Sequence, residues 1–200
     1  MIREGAINIS EENKSFLWLP PKTGTMHAAV IFSHFNFLTL EEVDNPLKEN
    51  FFKHNHSIRL FTGHENYKLI CTARNPFSLF ISEFKFYELK DEKDFTPENF
   101  QKYFAKISEL NFKSFFYNMK IRTPDYFLRL EHLYHDYIQI PFIRTSKLNQ
   151  SGILFDLCKK KLNSTTQPPV FSDFYTSDMI DRVYQVAGDY MERLNYKFPY

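Results

Sequence analysis

Glycine, cysteine and tryptophan are all scarce in this 200-residue chain, which holds five, two and one of them. Two cysteines, Cys71 and Cys158, form no metal-ligand pattern and require no disulfide. Charge of one sign is missing too: 25 basic against 24 acidic residues leave a net charge of +1, so there is no global field for nucleic acid or acidic membranes. Anion recognition must therefore be local. No apolar stretch approaches membrane-spanning length and the first residues are polar, so the expectation is a soluble, cytoplasmic protein with no membrane or nucleic-acid partner. Internal repeats and low-complexity tracts are absent, and the one linker-like stretch is the Ser/Thr/Pro segment from Asn163 to Pro169. What the chain has is apolar and aromatic bulk, 43% and 18% of its residues, enough to bury one sizeable core and to predict a single domain over 1–200.

The most informative stretch runs from Phe16 to Phe32. Its apolar run Phe16 to Leu19 suits a central strand, Pro20 and Pro21 stop it, and Gly24 permits a backbone conformation that a side chain would obstruct. A helix beginning just after Gly24 would gather the backbone amides of Thr23, Gly24, Thr25 and Met26 into one concavity, where the helix dipole favours a phosphate, with Lys22 as the mobile positive charge. This is not the nucleotide loop G-x-x-x-x-G-K-[ST], because Lys22 precedes Gly24, the only glycine of the stretch. The plain alternative is an ordinary strand, turn and helix carrying an exposed lysine.

A second strand is predicted over Tyr67 to Ala73, followed by a helix with Asn75 as its cap and Pro76 at its first position. Phe77, Phe80, Ile81 and Phe84 fall at helical spacing and are expected in the core, while Ser78 and Ser82 share another face. Arg74 and Ser82, eight positions apart, can serve one phosphate, the guanidinium as a bidentate charged contact and the hydroxyl as a further donor. Read blandly, Arg74 is a surface arginine at a helix start and Ser82 a solvated helix residue.

The order Pro-Lys-Thr-Gly-Thr at 21–25 and the Arg-Asn-Pro at 74–76 with its following serine resemble the two phosphate motifs of the sulfotransferases that use 3′-phosphoadenosine 5′-phosphosulfate (PAPS). The resemblance implies that Lys22, Thr23, Gly24, Thr25 and Met26 hold the 5′-phosphosulfate, and Arg74 and Ser82 the 3′-phosphate. Two departures are Leu79, where a second arginine is common, and Phe84, where a tyrosine is common. Weaker likenesses cover Asp125 to Asp136, the Leu148 to Ser151 segment as an Asn-x-Ser loop, and a closing helix within Phe174 to Tyr196. That last helix carries the apolar stripe Ile180, Val183, Tyr184, Ala187, Tyr190, Met191 and Leu194, which marks it as chiefly packing.

Sulfuryl transfer to an alcohol needs a base for the hydroxyl proton, and histidine suits that work near neutral pH. Of seven histidines, His54 and His56 lie between the two phosphate motifs. Their His-x-His is similar to the histidine segment of some glycan sulfotransferases, and the resemblance favours His56 as catalytic base; a surface histidine pair is the plain alternative. Two ligands without a carboxylate or cysteine partner define no metal site, so none is expected. His27, directly behind the loop, is read as a helix-surface residue.

The expected fold is α/β, a P-loop-like three-layer sandwich with a central, mainly parallel sheet, strands near 15–20, 68–73 and 126–130, and helices on both faces. The expected activity moves a sulfuryl group from PAPS to an acceptor hydroxyl on a carbohydrate or small molecule, with adenosine 3′,5′-bisphosphate as product and no metal. A nucleotide kinase or other P-loop phosphotransferase, and an inactive nucleotide- or glycan-binding module, are the alternatives.

Overall fold

The structure, a computed structural model, describes residues 7–20, 22–39, 64–89, 91–107, 123–160 and 170–199. In chain order its elements are β1 (Ile7–Ser10), β2 (Ser15–Trp18), α1 (Thr25–Phe32), β3 (Leu38–Thr39), β4 (Lys68–Ala73), α2 (Pro76–Tyr87), α3 (Pro97–Lys106), β5 (Tyr126–Arg129), α4 (Leu133–Tyr137), α5 (Pro141–Arg144), α6 (Lys147–Gln150), α7 (Ile153–Lys159), α8 (Phe171–Phe174) and α9 (Ser177–Leu194). Single 3-10 turns occupy Ser33–Phe35, Glu92–Asp94 and Leu130–His132. The chain divides into two compact units, the first from Met1–Ala73 and Asn118–Ser164, the second from Arg74–Tyr117 and Thr165–Tyr200.

The first unit is α/β and holds a five-stranded sheet in the order β3-β1-β2-β4-β5. The three strands expected from the sequence are present, and β2, β4 and β5 run parallel, with Trp18 beside Cys71 and Ala73 beside Arg129. Their near-continuous apolar sequences suit strands buried on both faces, and the residues of β2 and of β4 beyond Lys68 are all buried. The sheet as a whole is mixed, which corrects the expectation of a mainly parallel one. A four-residue turn over Glu11 to Lys14 folds β1 back antiparallel on β2, Ser10 meeting Ser15, and β3 adds a second antiparallel pairing. The strand at Ile7–Ser10 escapes a sequence reading because half of it is polar. Its Asn8 is nevertheless buried, donating to the Leu17 carbonyl and accepting from Thr39 Oγ1 at 3.0 Å.

Side chains alternate across a strand, so Leu17, Leu19, Ile70 and Leu128 share one sheet face. There they form a single core with Ala28, Ile31 and Phe32 of α1 and with buried residues of α4, α5 and α7. Each large side chain withdrawn from water in this way contributes about 1.5–3 kcal/mol, which fixes α1 and the loop before it against the sheet.

The second unit is helical among the described residues and its core is aromatic. Phe77, Phe80, Ile81 and Phe84 of α2 are buried as their spacing predicts, and Phe100 and Phe104 of α3 are buried with them. Ring centroids lie 4.8 Å apart for Phe77 and Phe198, 5.0 Å for Phe100 and Tyr175, and 5.6 Å for Phe84 and Phe100, most pairs meeting edge to face. The Tyr175 hydroxyl donates to the Phe77 carbonyl at 2.8 Å, so this buried phenol is satisfied. Asn75, Thr96 and Thr176 cap α2, α3 and α9, each side chain accepting an amide of the first turn. Among the described residues, no helix is long and apolar enough to cross a membrane.

Candidate anion-binding loop and the Arg74 helix

The loop after β2 lies at the carboxyl end of the parallel strands, the edge where open α/β sheets take ligands. Two left-handed residues shape it: Lys22 at φ 63° and Gly24 at φ 90°, the residue from which α1 starts. A side chain at Gly24 would be strained by that φ, and its Cβ would come to 2.8 Å from Cδ1 of Leu130. Gly24 also has no side chain with which to cap α1, so it leaves the first-turn amides at Thr25 and Met26 to an outside acceptor. No acidic residue occupies that first turn. The electrostatics therefore suit an anion.

The Thr23 side chain has a structural part in the loop. Its hydroxyl is fully buried, donates to the Pro20 carbonyl at 2.6 Å and, with that proton committed, accepts from the Thr72 hydroxyl at 2.6 Å. The side chain thus ties the loop to β4, and its backbone amide is the group left for a ligand. Thr25 is also buried, Lys22 half-buried, and the Met26 side chain exposed.

Behind the loop, α1 is anchored by His27, which is buried rather than on the helix surface. Nε2 lies 3.0 Å from the Leu157 carbonyl, which can only accept, so Nε2 carries the proton and Nδ1 accepts from the Tyr137 hydroxyl at 3.4 Å. Burial holds this imidazole below its ordinary pKa of 6.5, against a smaller opposing effect of the Leu157 hydrogen bond. The unfolded chain then takes up a proton before the folded one does as pH falls. Stability from this group is whole above 6.5, declines as pH drops through that value, and levels off below the folded pKa. Thermal scans should show a lower midpoint at about pH 5 than at about pH 7, and His27→Gln should shrink that difference. An unchanged difference in the variant would place the acid sensitivity elsewhere.

Leu130, the side chain under Gly24, is held in place by the strand end before it. The Asp136 carboxylate accepts from the Arg129 amide at 2.8 Å, from its Nε at 2.9 Å and from its Nη2 at 2.6 Å. With the Asp136 side chain 6% exposed, this bidentate pair fixes the turn from β5 into α4. Nothing in the sequence pattern singles out that pair, which only the folded turn brings together. At the other end of the strands, Asp125 accepts from the Leu69 amide at 2.8 Å and from Lys68 Nζ at 2.9 Å, so it serves strand pairing. The Leu148 to Ser151 segment is a helical turn capped by Ser146 rather than an open Asn-x-Ser loop, because Asn149 donates back to the Arg144 carbonyl at 2.9 Å.

In the second unit, Arg74 is half-buried and directly precedes the cap of α2. Asn75 Oδ1 accepts the Phe77 amide at 3.0 Å while its Nδ2 donates to the Lys197 carbonyl at 2.7 Å. Ser82 is half-buried on α2, about 9 Å along the axis from Pro76 at the ordinary helical rise, and shares a face with Ser78. Arg74 thus lies just before the well-capped start of α2, and Ser82 near its middle.

Burial pushes the Cys158 thiol up to about 12 and the Cys71 thiol well above its ordinary value, so neither is an activated nucleophile. Lys159, part of the one basic run, lies over the Phe155 ring at 3.9 Å. His54 and His56 lie outside the described residues. Among the described residues, no group of three or more His, Cys, Asp or Glu could hold a metal ion. Comparison with protein-family models, with curated proteins and with solved structures gives no match to this chain.

Proposed function

We propose that this chain is a PAPS-dependent sulfotransferase acting on an acceptor hydroxyl. The observation that carries the reading is the loop itself: Lys22 and Gly24 in left-handed conformations, at the carboxyl end of parallel strands, opening a helix whose first turn has neither an acidic residue nor a capping side chain. Glycine at position 24 seats the loop backbone against Leu130, where a Cβ would collide, and keeps the left-handed conformation from which α1 starts. The Arg-Asn-Pro start of α2 and Ser82 support the same reading from the second unit. A P-loop-like three-layer arrangement belongs to this proposal, as does cytoplasmic location.

PAPS supplies the sulfuryl group, and adenosine 3′,5′-bisphosphate is what departs. The amides from Thr23 to Met26 hold the 5′-phosphate, and Lys22 Nζ stabilises the charge gained by the bridging oxygen as its bond to sulfur breaks. Arg74 and Ser82 hold the 3′-phosphate, which orients the donor. His56 takes the acceptor proton as the acceptor oxygen forms its new bond to sulfur.

Incubating the full chain with labelled PAPS and a panel of sugar, lipid, phenol and small-alcohol acceptors tests the proposal. Transfer of label to a hydroxyl is the expected result. Because a sulfuryl group carries less charge than a phosphoryl group and no Gly-Lys-Ser/Thr loop is present, that transfer should persist in EDTA. Strict dependence on magnesium would sink the mechanism, and donor binding without transfer to any acceptor would favour the inactive binding module.

A further inference from the structure

We infer that Tyr190 is a positioning residue for the 3′-phosphate anchor Arg74, an inference that rests on the sulfotransferase reading. Arg74 stands between the last residue of β4 and the cap of α2, and its peptide N–H and C=O meet the same side chain. One phenol serves both. The Tyr190 hydroxyl accepts from the Arg74 amide at 3.1 Å and donates to the Arg74 carbonyl at 3.1 Å.

These two bonds fix the backbone on both sides of the Arg74 Cα, and hence the direction in which its side chain leaves the chain. Asn75 is held separately, through Phe77 and the Lys197 carbonyl, so the two residues of the motif are clamped by different parts of the C-terminal segment. Tyr190 itself is buried at 7% exposure, its ring 5.9 Å from that of Tyr196. A phenylalanine would fill that volume equally well, so packing on the apolar stripe of α9 does not account for the hydroxyl. The closing helix, which its sequence marks as chiefly packing, thus also sets the geometry of the proposed anion ligand.

The test compares adenosine 3′,5′-bisphosphate with adenosine 5′-monophosphate by titration calorimetry on the full chain. Their affinity ratio isolates the 3′-phosphate, and it is internal to each folded sample. Tyr190→Phe should lower the ratio roughly three- to tenfold, the scale of one hydrogen bond lost between a misdirected Arg74 and the phosphate, while leaving the monophosphate affinity nearly unchanged. Val183→Ala, which trims a buried side chain of the same helix, should lower the melting temperature and leave the ratio as it is. A wild-type ratio in Tyr190→Phe, or an equal fall in Val183→Ala, overturns the inference and spares the sulfotransferase reading. No preference for the bisphosphate in the wild-type protein overturns both.

Discussion

His56→Ala should lower sulfuryl transfer by about two to four orders of magnitude while donor affinity stays nearly unchanged, the signature of a lost general base. Lys22→Ala should damage both, because its charge serves the bound phosphosulfate and, more strongly, the transition state in which the bridging oxygen gains charge. The structure bears on how cleanly these variants can be read. Lys22 occupies a left-handed backbone position set by its neighbours, with Thr23 tied to Pro20 and Thr72 and Gly24 seated on Leu130. Alanine meets the same backbone cost there as lysine, so the substitution removes the charge and leaves the loop. Donor binding and single-turnover rates, measured on Lys22→Ala, His56→Ala and His54→Ala together, separate the roles. If His54→Ala abolishes turnover and His56→Ala is nearly normal, the base is the other member of the pair. If both remain active, the base lies elsewhere; His132, exposed and two residues after Leu130, is then the next substitution to make.

The parts of this chain legible in its sequence are those governed by local chemistry. Apolar runs marked β2, stopped by Pro20, and β4, and Asn75-Pro76 marked the start of α2, because strand burial and helix capping depend on neighbours a few residues away, whereas β5 was expected from the likeness of Asp125 to Asp136. Parts that depend on distant partners were not legible. The strand at Ile7–Ser10 looks too polar until Thr39 meets Asn8, and nothing local shows that the Thr23 hydroxyl meets that of Thr72, on a strand far along the chain. His27 is similar: on a helical wheel it reads as surface, and only the Leu157 carbonyl and Tyr137 explain its burial. Tyr190 falls in an apolar stripe, where the sequence cannot tell a phenol that packs from one that also holds a peptide group.

Arg74→Ala should remove most of the preference for adenosine 3′,5′-bisphosphate over ADP and ATP, read as thermal stabilisation by each nucleotide at equal concentration. A lost charge-assisted contact of this kind costs about 1.5–3 kcal/mol, or roughly ten- to a hundredfold in affinity. The effect should be specific to the 3′ end. In the proposed site only the Arg74 guanidinium meets the anion, while its peptide groups are held by Tyr190 and Asn75 caps the helix, so truncation to alanine should keep the helix start in place. Ser82→Ala should act in the same direction with a smaller loss, since a hydroxyl offers one hydrogen bond where the guanidinium offers a bidentate pair and a charge. The two substitutions should be less than additive, because both act on one phosphate and each single change already loosens it. A wild-type protein stabilised equally by ATP and by the bisphosphate would move the reading to a nucleotide kinase, whose donor carries no 3′-phosphate for Arg74 to select.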